Sequence, residues 1–453
     1  MSAWAVVEKR RGRYPIGRPS VGADAAELAE IRIRCMGCGA PHAAGVAVTV
    51  CPRCGGLLDV EVSLDAKIRP EEIGQGLSPT LRNSGVWRYR ALLPAIPESA
   101  IVTRAEGNTP LFWDDRLAQY AGLTAEAGGF GVKHEGHNPT ASFKDRGMTV
   151  GVSHAKAIGA RIVACASTGN TSASLASYAA AAGMAGLVLI PEGKISGGKL
   201  GQTIAYGARV VQVQGDFDEA LALLRELTAS HEVYLCNSVN PFRMEGQKTI
   251  VFELLEQLGW NAPDVIALPG GNLGNTAAVG KALHEAYTVG LIDRVPRVAT
   301  IQAEGAAPFA AYFASGWDEY APVHAETIAT AINIGNPAST PRARRTIEQT
   351  GGIVTTVTDA EIMDAKAAID RVGIGCEPAS AASLAGTRRL VAEGVIAPDA
   401  TVVGIVTGHL LKDTESVVAY HLGDNAAPGA NRPVTIPATL AALEQVLADA
   451  LHG

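Results

Sequence analysis

From about residue 96 onward the chain alternates short apolar runs with longer alanine-rich stretches. Six of the runs are clear: Arg161–Cys165, Gly186–Ile190, Ala208–Val213, Asp264–Leu268, Val298–Gln302 and Thr401–Val406. They are short, β-branched and mostly apolar, the pattern of strands buried on both faces of a parallel sheet. The alanine-rich stretches between them supply covering helices, so an α/β class with open parallel sheets is expected. In such folds ligands bind beyond the carboxyl ends of the strands. Two polar loops stand in that position, Ser167–Ser172 and Pro269–Thr276. The longest uncharged stretch, Ile162 to Pro191, has the length of a membrane span, but the hydroxyl-rich loop inside it divides it into strand, loop, helix and second strand. Near the end of the chain, Leu440, Leu443, Val446, Leu447 and Leu451 recur at helical spacing and predict a docking or dimer-contacting helix.

The N-terminal stretch shows no sustained period and reads as an arm or partner-contacting extension. Its basic run Lys9, Arg10, Arg11 and Arg13 reads as a solvated tail, with no apolar core or cleavage site of a secretory signal. Cysteines follow. Cys35-Met-Gly-Cys38 and Cys51-Pro-Arg-Cys54 are separated by twelve residues, and each pair is followed by glycine. Two such knuckles bring four thiolates into the tetrahedron that zinc prefers, and four protein ligands leave no open position, so one structural zinc is expected. Seven cysteines, an odd number with four of them clustered, fit metal binding better than a disulfide framework and point to a soluble cytoplasmic protein.

Composition narrows the picture further. At about 100–200 residues per domain the chain has room for two to four domains. A composition 47% hydrophobic and 18% charged excludes a disordered chain. A formal net charge of −7 argues against a nucleic-acid partner, and no membrane partner is expected.

Three segments carry candidate chemistry. In Glu135–Gly147 a single lysine, Lys144, stands beside Phe143 just before a helix-compatible run. Such partly desolvated, electropositive surroundings lower an amine pKa and favour imine chemistry, while a surface lysine paired with Asp145 fits the same residues equally well. The Ser167–Ser172 loop opens the alanine-rich helix and turns hydroxyls and backbone N–H groups toward any anion there. In Pro269–Thr276, glycines at 270, 271 and 274 let the backbone wrap a phosphate, although their spacing is not that of a dinucleotide fingerprint.

Read together, six motifs resemble the threonine synthase family: Asn138–Gly147, Ser167–Thr171, Asn237–Lys248, the glycine loop, Cys376–Ala382 and Thr407–His409. That family comprises pyridoxal-phosphate enzymes of the tryptophan-synthase-β-like fold. The resemblance therefore implies a fold-type II enzyme with two open parallel-sheet α/β domains, the cofactor between them, and a small N-terminal four-cysteine ribbon. It implies an arm over residues 1–30, a ribbon over 31–62, a linker over 63–95, and a large cofactor domain over 96–147 and 240–430. A smaller mobile domain over 148–239 and a C-terminal helix over 431–453 complete the expected organisation.

By the same resemblance Lys144 is the Schiff-base lysine, with Phe143 beside the cofactor and Asn170 bonding its phenolic oxygen. Gly271, Asn272, Leu273, Gly274 and Asn275 cradle the cofactor phosphate, and Thr407 faces the pyridine nitrogen. Ser167, Thr168 and Thr171 receive the substrate carboxylate. Asn237, Ser238 and Arg243 receive the substrate's own phosphate, against the plainer reading of Arg243 as a partner of Glu245 or another carboxylate. The implied reaction converts O-phospho-L-homoserine and water to L-threonine and phosphate in a homodimer. Cysteate synthase and threonine or serine dehydratase are the alternatives within the fold. Two positions depart from the family pattern: Ala141 and Leu410 both stand where glycine is common.

Overall fold

The computed structural model describes residues 28–64, 67–124, 128–192, 197–215, 217–230, 233–423 and 430–452. Nearly all of the N-terminal arm, up to residue 27, lies outside the described residues. Strands β1 (Arg32–Cys35), β2 (Pro41–Ala43) and β3 (Leu58–Glu61) pair antiparallel in the order β2-β1-β3. A six-stranded sheet contains β4 (Leu111–Trp113), β5 (Gly129–His134), β10 (Val265–Pro269), β11 (Arg297–Ala303), β12 (Ile353–Val357) and β13 (Thr401–Val406). Its order is β12-β11-β10-β13-β5-β4, parallel throughout except for β4. A second sheet, wholly parallel, runs β8-β7-β6-β9 through β6 (Ile162–Ala166), β7 (Ala185–Pro191), β8 (Arg209–Val213) and β9 (Val233–Leu235). All six apolar runs read from the sequence are strands of these two sheets, so the expected α/β architecture with a small four-cysteine module is the one observed.

The four-stranded sheet is inserted between β5 and β10. Helix α1 (Lys144–Ala157) leads into it, α2 (Asn170–Ala182) covers it, and α3 (Pro241–Gln247) leads back. Helices α1 and α3 cross at glycines. A β-carbon on Gly246 would lie 1.8 Å from the Arg146 carbonyl oxygen, and one on Gly147 would lie 2.7 Å from that of Arg243. No other residue type fits there without moving a backbone, and the crossing locks the lysine-bearing helix to the arginine-bearing one.

The stretch expected as a linker is packed instead. Trp87, Tyr89 and Leu92 are fully buried, and Trp87 Nε1 donates to Thr149 Oγ1 at 2.8 Å. Its short 3₁₀ turn has no period long enough to register as an amphipathic element. The terminal helix forms over Leu440–His452, and Leu440, Leu443 and Leu447 point outward from this single chain.

Candidate active site

Loops following β5, β6, β9, β10 and β13 leave their sheets at the carboxyl edges. Two of them are zipped together: Ser142 and Gly408 form a bridge, Phe143 N donates to Thr407 O at 3.0 Å, and His409 N donates to Ala141 O at 3.0 Å. Ala141 adopts φ +65, the left-handed region that glycine enters without cost. The departure at this position keeps the loop and carries a strain of roughly 1–2 kcal/mol. Leu410 fills space against Gly375, whose own φ is +73.

Lys144 opens α1 with Nζ 4.2 Å from the centroid of the Phe143 ring. Burial, and then the nearby Arg243 charge, pull its pKa down to about 7, with Glu377 opposing. The alternative pairing with Asp145 is absent. The Asp145 carboxylate instead accepts from Thr140 N, Thr140 Oγ1 and Ser174 Oγ, each at 2.6 Å. The structure thus presents a half-buried amine whose pKa is drawn down toward neutrality, which favours the free base needed for nucleophilic attack or proton abstraction.

Around it, Asn170 Nδ2 donates to both oxygens of Glu377, at 3.2 and 3.0 Å. Thr407 is 4% exposed, and its hydroxyl meets Ser380 Oγ at 2.9 Å and Glu377 Oε1 at 3.4 Å. Ser380 also accepts from the backbone N–H groups of Thr407 and Gly408, which fixes the threonine hydroxyl in place. Burial raises the Glu377 pKa, with Asn170, Lys412 and Lys144 acting against it. Glu377 and Ser380 belong to a motif visible in the sequence, but only the fold shows that their side chains meet Asn170 and Thr407.

The glycine loop after β10 turns on Leu273, at φ +62, into α4 (Gly274–Thr288). Both polar side-chain atoms of buried Asn275 lack a partner, as does the hydroxyl of Ser339. A β-carbon on Gly274 would sit 3.9 Å from that hydroxyl and 3.8 Å from Gln247 Oε1, so these groups share one space. Unpartnered buried donors at the N-terminus of a fifteen-residue helix fit a phosphoryl group. Ser339 escaped sequence reading because a serine before Thr-Pro is the ordinary mark of a helix start, yet here its side chain makes no cap bond.

The third group of residues separates into two kinds. Arg243 is 2% exposed; its Nη1 donates to Cys236 O at 2.9 Å and its Nε has no partner. Among the described residues no carboxylate pairs with it, because Glu245 is taken by Lys248 and Lys281. Asn237 is occupied otherwise. Its side chain accepts from Ala166 N at 3.0 Å and donates to Ala166 O at 3.1 Å, tying the β9 loop to the end of β6. Ser238 is half-buried, as are Ser167, Thr168 and Thr171 in the facing loop.

In the ribbon the four sulfurs of Cys35, Cys38, Cys51 and Cys54 lie within 4.8 Å of one another. The Cys35–Cys54 and Cys38–Cys51 separations are 3.5 and 3.8 Å. Zinc–sulfur bonds of about 2.3 Å at tetrahedral angles put sulfurs about 3.8 Å apart, so the donor set fits that metal. Gly39 and Gly55 close the two knuckles at φ +69 and +72.

Comparisons with known proteins agree with this geometry. Residues 102–408 match the family model described as "Pyridoxal-phosphate dependent enzyme". A threonine synthase of Methanosarcina acetivorans is 47% identical over 389 residues, covering 85% of this chain and 93% of its own. One from Methanocaldococcus jannaschii is 43% identical over 421 residues, covering 92% and 99%. Among solved structures, Escherichia coli threonine synthase superposes with a TM-score of 0.66 at 21% identity, over 92% of this chain and all of that one. Among the described residues no helix is long and apolar enough to cross a membrane. The chain belongs to the pyridoxal-phosphate dependent enzymes and, within them, to the threonine synthases.

Proposed function

We propose that the protein converts O-phospho-L-homoserine and water into L-threonine and inorganic phosphate. The observation that carries this reading is Arg243, a buried guanidinium whose charge acts on Lys144 and which no carboxylate neutralises among the described residues. A phosphate ester supplies the missing charge, whereas the substrate of a dehydratase would leave the cation alone in a dry pocket.

Gly271 to Asn275, with Ser339, would hold the cofactor phosphate; Asn170 and Phe143 would flank its ring and Thr407 its nitrogen. Bound pyridoxal phosphate supplies an electron sink for charge developing at Cα. Lys144 Nζ, neutral above about pH 7, takes the proton from Cα and later serves at Cβ. Ser167, Thr168 and Thr171 orient the substrate carboxylate, and Arg243 with Ser238 orients the phosphate. Asn237 acts by holding the serine–threonine loop against β9. A proton leaves Cβ and the Cγ–O bond breaks to release hydrogen phosphate; Cγ then gains a proton to become the methyl, water oxygen bonds to Cβ as the hydroxyl, and Cα regains its proton.

The same reading places the enzyme in the cytoplasm as a homodimer, with residues 148–239 moving as a unit over the site. Its ribbon carries about one structural zinc per chain. Phosphate release assayed side by side with phosphohomoserine and with phosphoserine plus sulfite tests the reaction. Turnover of the second pair alone would replace the proposal with cysteate synthesis. Metal analysis of protein prepared without chelator tests the zinc.

A further inference from the structure

The ribbon is wedged beneath the anion-facing loops. Val50 and Leu57, which flank the second knuckle, pack into one apolar cluster with Ala166, Val239 and Ala338. Those residues end β6, precede α3, and neighbour Asn272 of the glycine loop, respectively. On the other side Ala44 O accepts from His154 Nε2 at 2.7 Å, and the His154 ring stacks on Phe242 with centroids 3.5 Å apart. Phe242 immediately precedes Arg243. A third contact is ionic: Asp59 of β3 lies 3.1 Å from Lys281 Nζ, and Lys281 reaches Glu245 of α3 at 2.5 Å while also donating to Val60 O. Glu245 turns its other oxygen to Lys248 at 2.6 Å. Glu245 is fully buried, and Lys281 and Asp59 expose only 10% and 16% of their side chains. Lys281 is shared among Asp59, Glu245 and, at 4.0 Å, Glu285, and Asp59 also meets Arg345 Nη2 at 2.8 Å, so loss of Asp59 lets the lysine shift toward the remaining carboxylates within a dry network.

We infer that the ribbon is a positioning element for Arg243, and that Asp59 and Lys281 are positioning residues that hold α3 through Glu245 in the register that aims the guanidinium. Helix α3 spans seven residues and continues through Lys248 into the buried helix Thr249–Gln257, so contacts on its flanks choose how its Arg243 face is turned. The glycine crossing sets its distance from α1, and Phe242 and Glu245 set its roll from the ribbon side. The metal that fits the four cysteines therefore acts on substrate affinity at a distance, by fixing the shape of β3 and the second knuckle. This inference rests on the reading of Arg243 as an anion site.

The test uses the holoenzyme, with inorganic phosphate as the probe, titrated calorimetrically and as an inhibitor. Asp59→Asn should weaken phosphate binding and raise KM by about three- to tenfold, within the roughly two- to thirtyfold that couplings of this kind span. Catalytic-centre turnover should change less than about twofold, since the variant alters binding and not chemistry. Cofactor affinity and metal content should stay constant, and Asp59→Glu should recover most of the phosphate affinity. Metal-depleted holoenzyme should show the same loss as Asp59→Asn. A folded Asp59→Asn enzyme with unchanged phosphate affinity overturns the coupling, and a metal-depleted enzyme that keeps its affinity overturns the metal's part in it. Arg243→Ala separates the two readings. If it loses phosphate affinity and Asp59→Asn does not, the ribbon inference alone fails; if it too binds phosphate normally, the anion site itself is wrong.

Discussion

The loop after β10 offers an anion neutral donors only: the backbone of Gly271 to Asn275, the Asn275 amide, the Ser339 hydroxyl and the start of a fifteen-residue helix. The arginine on α3 offers a full charge, buried and without a carboxylate partner among the described residues. Emptying the first leaves neutral polar groups without partners, at about 1–3 kcal/mol each, but strands no net charge. Emptying the second leaves a dry, uncompensated cation, a state costing several kcal/mol. A neutral cradle suits a group that stays from one turnover to the next. A charged one suits a ligand that must be drawn in afresh each cycle, and relief of the buried charge adds to its affinity. On this view the two phosphates of the reaction are sorted by the kind of donor that each loop presents.

Lys144 opens the helix that crosses the arginine-bearing one, and its removal should produce the largest effect. Lys144→Ala is expected to lower turnover by about a thousandfold or more, since it deletes both the cofactor's anchor and the base. The melting temperature should move little, because the side chain contributes almost nothing to the apolar core. Reductive trapping followed by peptide mapping should place the label on Lys144; recovery on another lysine would remove the central residue of the comparison.

Arg243→Ala strikes one loop and spares the other. Charge-assisted hydrogen bonds are worth roughly 1.5–3 kcal/mol each, so kcat/KM for phosphohomoserine should fall about tenfold to several hundredfold. Cofactor affinity measured at alkaline pH should barely change. If cofactor affinity fell in parallel, the two sites would not be separate. The mirror experiment is milder. Asn275→Ala or Ser339→Ala removes a neutral donor worth about 0.5–1.5 kcal/mol, so cofactor affinity should drop roughly two- to tenfold. Substrate KM at saturating cofactor should stay put, and a shift in KM would mean that the cradle serves the substrate as well.

What the sequence disclosed about these loops follows from how each side chain is satisfied. Strands such as β10 and β13 were legible because they bury apolar, β-branched residues whose pattern needs no partner to be recognised. Strand β5 was not, since Gly-Phe-Gly-Val-Lys-His lacks that pattern. Its Lys133 is buried only because Glu253 Oε1, Gln257 Oε1 and Thr109 O lie 2.7, 2.8 and 2.7 Å away, and two of these come from a helix more than a hundred residues later in the chain. The lysine loop and the glycine loop were legible as motifs, with residue types in a fixed local order. Ser339 and the Glu377 contacts were not, because being unpartnered, or meeting Asn170, is a property of the assembled fold. The same limit explains Asn237, whose place in a motif could not reveal that both ends of its amide are spent on Ala166.

The smallest expected effect probes whether the charged loop also acts on the lysine. Burial lowers the Lys144 pKa first, and the Arg243 charge lowers it further, to about 7, while the Glu377 carboxylate pulls the other way. Capture of pyridoxal phosphate by the apoenzyme needs the neutral amine, so its rate should rise with pH through about 7 and level off above. Removing a neighbouring cation makes the ammonium easier to keep. Arg243→Ala should therefore move the profile to higher pH, lowering the capture rate less than tenfold near pH 7 and leaving it unchanged above about pH 9. Glu377→Gln removes the opposing charge and should move the same profile to lower pH. A general loosening of the pocket would shift both variants in one direction, toward the ordinary lysine value, as water returns. Stopped-flow measurement of the cofactor's absorbance change across pH for the two variants separates these outcomes. Opposite shifts require that the guanidinium and the carboxylate both act electrostatically on one amine, whereas parallel shifts would confine Arg243 to its own loop and leave the lysine tuned by burial alone.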